Sequence, residues 1–239
     1  MKIISVVGTK DTGKTTLMVK IVSELVNRGF KVGTIKHMHE SFDVEGRDTW
    51  KHKEAGAELV IGSGDETFFI INQRLDIENL LTRSECLLNL DYIVIEGFKY
   101  SNYAKISVSD LEDDYTIAKV NAKEIDDEKL KEIVDLIEER AYGKLPYLDC
   151  KDCGFDSCKD MAKAAAKGEV TEQVCKMKKM RDIELKIDGE PVPMNPFVQT
   201  FVQNTTLGMI SSLRGEALKD FENKKIELLI KGANIGKTY

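Results

Sequence analysis

Nine residues near the start, Gly8-Thr9-Lys10-Asp11-Thr12-Gly13-Lys14-Thr15-Thr16, constrain the fold of this chain more than any other stretch. They follow the apolar run Ile3-Ile4-Ser5-Val6-Val7 and lead into Leu17-Met18-Val19-Lys20-Ile21-Val22. Strand, glycine-bounded loop and helix in that order form the context in which a G-x-x-x-x-G-K-[ST] pattern binds phosphate rather than making an idle turn. The glycines let the backbone curl with its N–H groups inward, and the helix N-terminus adds a dipole that favours an anion. Gly8, Asp11, Thr12, Gly13, Lys14, Thr15 and Thr16 are therefore expected to line a nucleotide site. Lys14 is assigned a catalytic reach to the outer phosphates, and the Thr15 hydroxyl is assigned to Mg²⁺.

Strands and helices alternate after this loop. The pattern predicts an α/β fold, a P-loop nucleotide-binding architecture with a mostly parallel sheet flanked by helices. A helix over 14–27 stops at Arg28-Gly29, and a strand over 31–35 opens into a polar segment. In a parallel sheet that segment faces the phosphates, which puts His37, Asp43 and Asp48 around the phosphate and Mg²⁺. Asp48 either caps a helix starting near 47–48 or reaches the ion through water. His37, His39 and His52 are all the histidines present. A zinc site built from them is disfavoured against solvated loop histidines, because no cysteine or carboxylate lies at tight ligand spacing. Strands over 58–61 and 67–71 flank a Gly62-Ser63-Gly64 turn. A leucine stripe over 77–90 predicts a helix in which Cys86 is a small buried apolar group.

The run Asp91-Tyr92-Ile93-Val94-Ile95-Glu96 is a buried strand with a carboxylate at each end. A P-loop protein uses an acid at such a strand's carboxyl end to hold Mg²⁺. At roughly 3.3 Å per residue the two acids stand about 16 Å apart, so only Glu96 reaches the glycine loop. Glu96 is accordingly taken as the second Mg²⁺ ligand and a catalytic group. Gly97 allows close backbone approach. Lys99 either adds positive charge near the phosphates or is solvated. Strands over 105–109 and 116–120 and a helix over 126–140 complete this part, with Leu130, Ile133, Val134 and Ile137 on one helical face. Glu112, Asp113 and Asp114 read as a solvated turn.

With the glycine loop, Ile35-Lys36-His37, the Asp43 to Ala57 segment and Val94 to Lys99 all in order, residues 1–140 resemble the MobB family of accessory proteins in molybdopterin-guanine dinucleotide synthesis. The resemblance implies Mg²⁺, GTP with slow hydrolysis, and a homodimer. It also implies partnership with a MobA-like guanylyltransferase, with molybdopterin or its guanine dinucleotide, and with molybdo- or tungstoenzyme apoproteins. Lys10 and Asp11 depart from the small residues common in the family's loop. No Asn-Lys-x-Asp element for reading guanine is present, and Asn121-Ala122-Lys123-Glu124 is only a faint echo of one. The choice of GTP over ATP thus rests on the resemblance.

Four of the five cysteines, Cys150, Cys153, Cys158 and Cys175, fall within 26 residues, after a break at Gly143 to Pro146. In an intracellular chain such clustering reads as metal ligation rather than disulfides. Spacing leaves Zn²⁺ and an iron–sulfur cluster open. The arrangement resembles the four-cysteine module of corrinoid iron–sulfur proteins and Rnf-type subunits, which implies a [4Fe-4S] cluster with Zn²⁺ as the alternative. The following Lys176, Lys178, Lys179 and Arg181 either offset cluster charge or form a solvated face. A small α+β tail follows, with a strand over 183–187, an Asp188-Gly189 turn, a helix over 197–213 started by Asn195-Pro196, and a strand over 225–230. Three parts are expected: 1–142 for the nucleotide, 143–181 for the metal module, and 182–239 for the tail.

A formal charge of −6 and a pI near 5.3 speak against a partner that is nucleic acid. No apolar run spans a bilayer and the first residues do not read as a leader, so no membrane is expected and the location is cytoplasmic. The sequence thus reads as a GTP-binding accessory protein. Its rivals are an iron–sulfur-dependent redox or metal-responsive nucleotide switch, and an ATP-dependent P-loop small-molecule ligase.

Overall fold

A computed structural model describes residues 1–38, 43–179, 183, 185–187, 190–192, 194 and 196–213. The apolar run before the glycine loop forms β1 (Lys2–Val7), buried from Ile3 onward. The loop leads into α1 (Lys14–Asn27), followed by β2 (Val32–Lys36), a short α2 (Asp48–Glu54), a hairpin of β3 (Leu59–Ser63) and β4 (Thr67–Ile71), and α3 (Ile77–Leu87). Then come β5 (Tyr92–Glu96), β6 (Ala104–Ser107), β7 (Thr116–Lys119) and α4 (Asp127–Arg140).

Five strands form one sheet in the order β2-β5-β1-β6-β7, and every neighbouring pair is parallel. Such a sheet needs cover on both faces, and β1 and β5 accordingly read as near-continuous apolar runs rather than alternating ones, Ser5 being the one polar residue inside β1. The chain leaves β1 toward one edge and, after β5, crosses to β6 on the other side. The carboxyl end of β1 is therefore where connections diverge, the place open α/β sheets bind ligands. Helix α1 buries Leu17, Ile21 and Leu25, and α4 buries Leu130, Ile133, Val134 and Ile137, each set a single helical stripe. Arg28 ties the two helices together, pairing with Glu24 at 2.8 Å and with Asp135 and Glu138 at 2.6 Å.

Two sequence expectations give way here. Cys86 is exposed, not buried. Leu81 is the buried anchor of α3, and Cys86, five residues later, lies about 140° round the helix from it. The acidic turn at 112–114 is also more than solvated surface. Lys105, with a side chain 1% exposed, donates to Asp113 and to the Lys99 carbonyl, while Asp114 pairs with Lys163 at 2.9 Å.

Past α4 the chain folds back onto the sheet. The Ile3 N–H donates to the Tyr142 carbonyl at 3.0 Å in an isolated antiparallel bridge, and the Tyr142 hydroxyl donates to the Asn102 carbonyl at 2.7 Å. Helix α5 (Cys158–Ala166), capped by Ser157 and stopped at Gly168, buries Met161, Ala162, Ala165 and Ala166 in the same apolar cluster as the sheet. A 3₁₀ turn (Glu172–Val174) and a short α6 (Lys176–Lys179) complete this unit, which spans Met1–Lys179.

The second unit begins at Met180. In it β8 (Leu185–Ile187) pairs antiparallel with β9 (Glu190–Val192), and α7 (Pro196–Ser211) follows, with Gln199 Nε2 donating to the Met194 carbonyl. No strand was expected over 190–192, where β9 places Pro191 at its centre. A two-stranded ribbon is all edge, where proline is tolerated. His39, Arg181, the Asp188-Gly189 turn, the Asn195 cap and the strand expected over 225–230 lie outside the described residues. Among the described residues no helix is long and apolar enough to cross a membrane.

Candidate functional site

The glycine loop leaves the carboxyl end of β1 and turns into α1 at Gly13, whose φ is +87°. A Cβ there would lie 2.8 Å from Ala122 Cβ, so only glycine meets both the backbone angle and the space. No side chain caps α1, which leaves its first-turn N–H groups for an anion. Thr12 Oγ1 and Lys14 Nζ both donate to the Thr9 carbonyl, at 2.9 and 2.5 Å, so the loop holds its ammonium close.

Glu96 closes the neighbouring strand and is 9% exposed. Its Oε2 accepts from Thr15 Oγ1 at 2.9 Å, and its Oε1 lies 3.5 Å from Lys36 Nζ. An octahedral Mg²⁺ with oxygens at 2.0–2.1 Å holds adjacent ligands about 2.9 Å apart, so these two hard oxygens suit that ion. Lys36 was not singled out in the sequence. Its position opposite Glu96 in the β2–β5 register is the signal that finds it.

His37 sits over the same strand end. Its backbone N–H donates to the Glu96 carbonyl at 2.9 Å and its ring lies 4.7 Å from that of Phe98. Gly97, with φ +101°, must be glycine, because a Cβ would stand 2.9 Å from His37 Cβ. Arg74 Nη2 lies 2.9 Å from His37 Nε2. A guanidinium only donates, so Nε2 accepts and the ring proton sits on Nδ1. Nothing in the sequence marks Arg74, a loop residue after β4 that reaches the site through the tertiary fold alone.

The remaining expected residues divide. Asp43 accepts from Thr49 Oγ1 at 2.9 Å through Oδ1, and its Oδ2 is buried without a hydrogen-bond partner. Asp48 is the first residue of α2, Arg47 holding the cap position, and its side chain, 89% exposed, pairs with Lys51 at 3.3 Å. Lys99 carries its ammonium over the Tyr100 ring, 4.8 Å from the centroid. Thr15, Glu96 and His37 are thus gathered at one point, whereas Asp48 and Lys99 are engaged locally.

All four clustered cysteines line one pocket with Pro146, Phe155, Met161 and Met177. Cys150 is exposed, Cys153 half-buried, and Cys158 and Cys175 buried. Cys158 opens α5, and its N–H is held by Asp149 Oδ1 at 2.7 Å. Burial pushes its thiol above the ordinary range. Four sulfur donors in an apolar wall suit a thiolate-bound metal centre. Among the described residues, no three His, Cys, Asp or Glu side chains are drawn to the spacing of a single bound ion.

Among the described residues, left-handed backbone at non-glycine positions is confined to these two places. The non-glycine residues with positive φ are Asp11 and Phe98, beside the glycine loop and the Glu96 strand end, and Tyr147, Asp149 and Lys151, around Cys150. Such conformations cost about 1–3 kcal/mol each and persist where surrounding structure imposes them, typically at ligand sites.

Residues 3–128 match the family described as molybdopterin guanine dinucleotide synthesis protein B, and residues 145–177 match one described as "Putative Fe-S cluster". The chain is 34% identical over 227 residues, 90% of its length and 93% of the relative's, to the "Putative molybdopterin-guanine dinucleotide biosynthesis adapter protein" of Methanocaldococcus jannaschii. It is 30% identical over 156 residues to the Haemophilus influenzae molybdopterin-guanine dinucleotide biosynthesis adapter protein, covering 57% of this chain and 87% of that one. A similar solved structure is that of Bacillus subtilis MobB, at 23% identity and a TM-score of 0.47 over 60% of this chain and 100% of that chain.

Proposed function

This chain belongs to the molybdopterin guanine dinucleotide synthesis protein B family, and on that premise we propose that it is a nucleotide-binding adapter protein of molybdopterin-guanine dinucleotide biosynthesis with an iron–sulfur region. The nucleotide is Mg-GTP. Gly8, Asp11, Thr12, Gly13, Lys14, Thr15 and Thr16 take its phosphates, while Thr15 and Glu96 take the ion. The observation that carries this is the Thr15–Glu96 contact of 2.9 Å at the mouth of the loop. Bound Mg²⁺ would neutralise charge on the outer phosphates. Lys14 adds a donor there, His37 and Asp43 wall the site, and hydrolysis is slow.

Cys150, Cys153, Cys158 and Cys175 hold a [4Fe-4S] cluster, with Zn²⁺ as the alternative. Such a cluster would supply a one-electron centre. The three-part organisation, 1–142, 143–181 and 182–239, and a cytoplasmic location belong to the same reading. Its partners are a MobA-like guanylyltransferase, molybdopterin or its guanine dinucleotide, and molybdo- or tungstoenzyme apoproteins. A homodimer is supported by the β3–β4 hairpin, whose outer face leaves Leu59, Ile61, Phe69 and Ile71 exposed. Exposed apolar patches of this kind mark contact surfaces.

The test is calorimetric titration with GTP and Mg²⁺. Lys14→Ala should abolish binding while the metal centre stays filled, and unchanged affinity in that variant would falsify the phosphate assignment. Capture of the guanylyltransferase from an anaerobic host tests the adapter role. A redox-responsive switch is favoured by one observation, the Lys163–Asp114 pair joining the cysteine helix to the sheet's β6–β7 loop. It requires GTP affinity to differ between the oxidised, reduced and stripped protein.

A further inference from the structure

The glycine loop is flanked on two sides. On one, β5 delivers Glu96 with Lys36, His37 and Arg74 around it. On the other, β6 and β7 end against the loop itself. A Cβ on Gly8 would lie 2.6 Å from Val108 Cγ2, just past β6, and one on Gly13 would lie 2.8 Å from Ala122 Cβ, just past β7. Ala122 is 4% exposed, whereas its neighbours Asn121, Lys123 and Glu124 are exposed.

This turn is held firmly. The Val120 N–H donates to the Ser107 carbonyl at 2.9 Å, extending the strand pairing to its brink, and Lys20 of α1 donates to the Ile125 carbonyl at 2.6 Å. Within it Asn121 Oδ1 accepts the Lys123 N–H at 3.2 Å, and Asn121 Nδ2 donates to Glu124 Oε1 at 2.7 Å. The asparagine is spent on aiming the carboxylate, which keeps acceptor lone pairs to spare.

Three strand spacings separate β5 from β7, about 14 Å at roughly 4.8 Å each. The glycine loop packs on the ends of β6 and β7 through Gly8 against Val108 and Gly13 against Ala122, so the turn past β7 is the wall within reach of a base whose outer phosphates sit at Thr15 and Glu96. We propose that the Asn121-Ala122-Lys123-Glu124 turn reads that base, with Glu124 selecting guanine over adenine and Asn121 positioning Glu124. Guanine presents N1–H and the 2-amino group side by side, and one carboxylate accepts both. Adenine presents a lone pair at N1 and no 2-amino group, so the same carboxylate is repelled and left unpaired. Sites that hydrogen-bond their substrate reject a ligand lacking the matching group far more strongly than apolar pockets do. The proposal rests on the nucleotide reading above and adds where base selectivity resides.

The experiment is titration of the full chain, metal centre intact, with Mg²⁺ and GTP, ITP, XTP or ATP. Wild type should prefer GTP over ATP, with ITP weaker than GTP for want of the 2-amino group. Glu124→Gln should lower GTP affinity about tenfold or more, leave ATP unchanged and improve XTP, because a carboxamide donates to the 2-oxo group of xanthine. Asn121→Ala should weaken GTP without affecting ATP. Both residues are exposed, and unchanged circular dichroism confirms the fold. If wild type favours GTP and Glu124→Gln keeps the same GTP to ATP ratio, this inference fails while the nucleotide reading stands. Equal wild-type affinity for GTP and ATP overturns it too. A wild type that binds none of the four overturns the nucleotide reading itself.

Discussion

Thr15 Oγ1 donates to Glu96 Oε2 at 2.9 Å, joining residues 81 positions apart in the chain. The contact exists because β1 and β5 are paired with Val6 opposite Glu96, so both strands end at one level and the loop turns over the carboxylate. Thr15→Ala should therefore lose most of the gain in GTP affinity that Mg²⁺ confers, about tenfold, while binding without Mg²⁺ persists. Titrations with and without the ion measure it, and equal Mg²⁺ dependence in mutant and wild type would refute the assignment.

Lys105 is a second buried link. Its ammonium is held by Asp113 and the Lys99 carbonyl, and Asp113 is itself 40% exposed. Removing a buried partner is costly, but water reaches the carboxylate left behind. Lys105→Met should lower stability by about 1–2 kcal/mol, read from the urea midpoint. A midpoint above wild type would show that the pair was a burden.

Gly13→Ala places a Cβ against Ala122 in a backbone region alanine avoids. Loss of about 1–2 kcal/mol and of nucleotide binding should appear together. An alanine variant of full affinity would contradict the stated need for glycine.

Protein purified without oxygen should be brown, absorb broadly near ~400 nm and hold about four irons. Loss should be graded, with Cys158→Ser and Cys175→Ser, both buried, costing more thermal stability than Cys150→Ser, which is exposed. Colourless protein with a single zinc would rule the cluster out.

The Lys163 ammonium beside Asp114 lowers that carboxyl below its ordinary value. A depressed folded-state value stabilises above the unfolded value near 3.9 and is lost as pH falls through the folded one. Asp114→Asn should thus be less stable than wild type at pH 7, with the gap closing in strong acid. Denaturant midpoints across pH test it, and a gap that widens in acid would reverse the sign.

The strand–loop–helix around Gly8 to Thr16, Glu96 at its strand end and the stripe on α4 were all legible in the sequence, because each depends on local periodicity or a motif. Arg74, Lys36 and Lys105 were not. Each acquires its partner through strand order or chain return, which no local pattern encodes. Cys86 misled because a leucine-rich run does not reveal which helical face turns inward. The turn at Asn121 was dismissed on its letters, and only the packing of Ala122 on Gly13 gave it a neighbour.

The Ile3–Tyr142 bridge has a mechanical side. It fastens the chain entering the cysteine segment to the near end of β1, beside the packing of α5 on the core and the Lys163–Asp114 pair. The far end of that strand is the glycine loop. The chain entering the cysteine segment and the nucleotide loop are thus anchored at opposite ends of one strand.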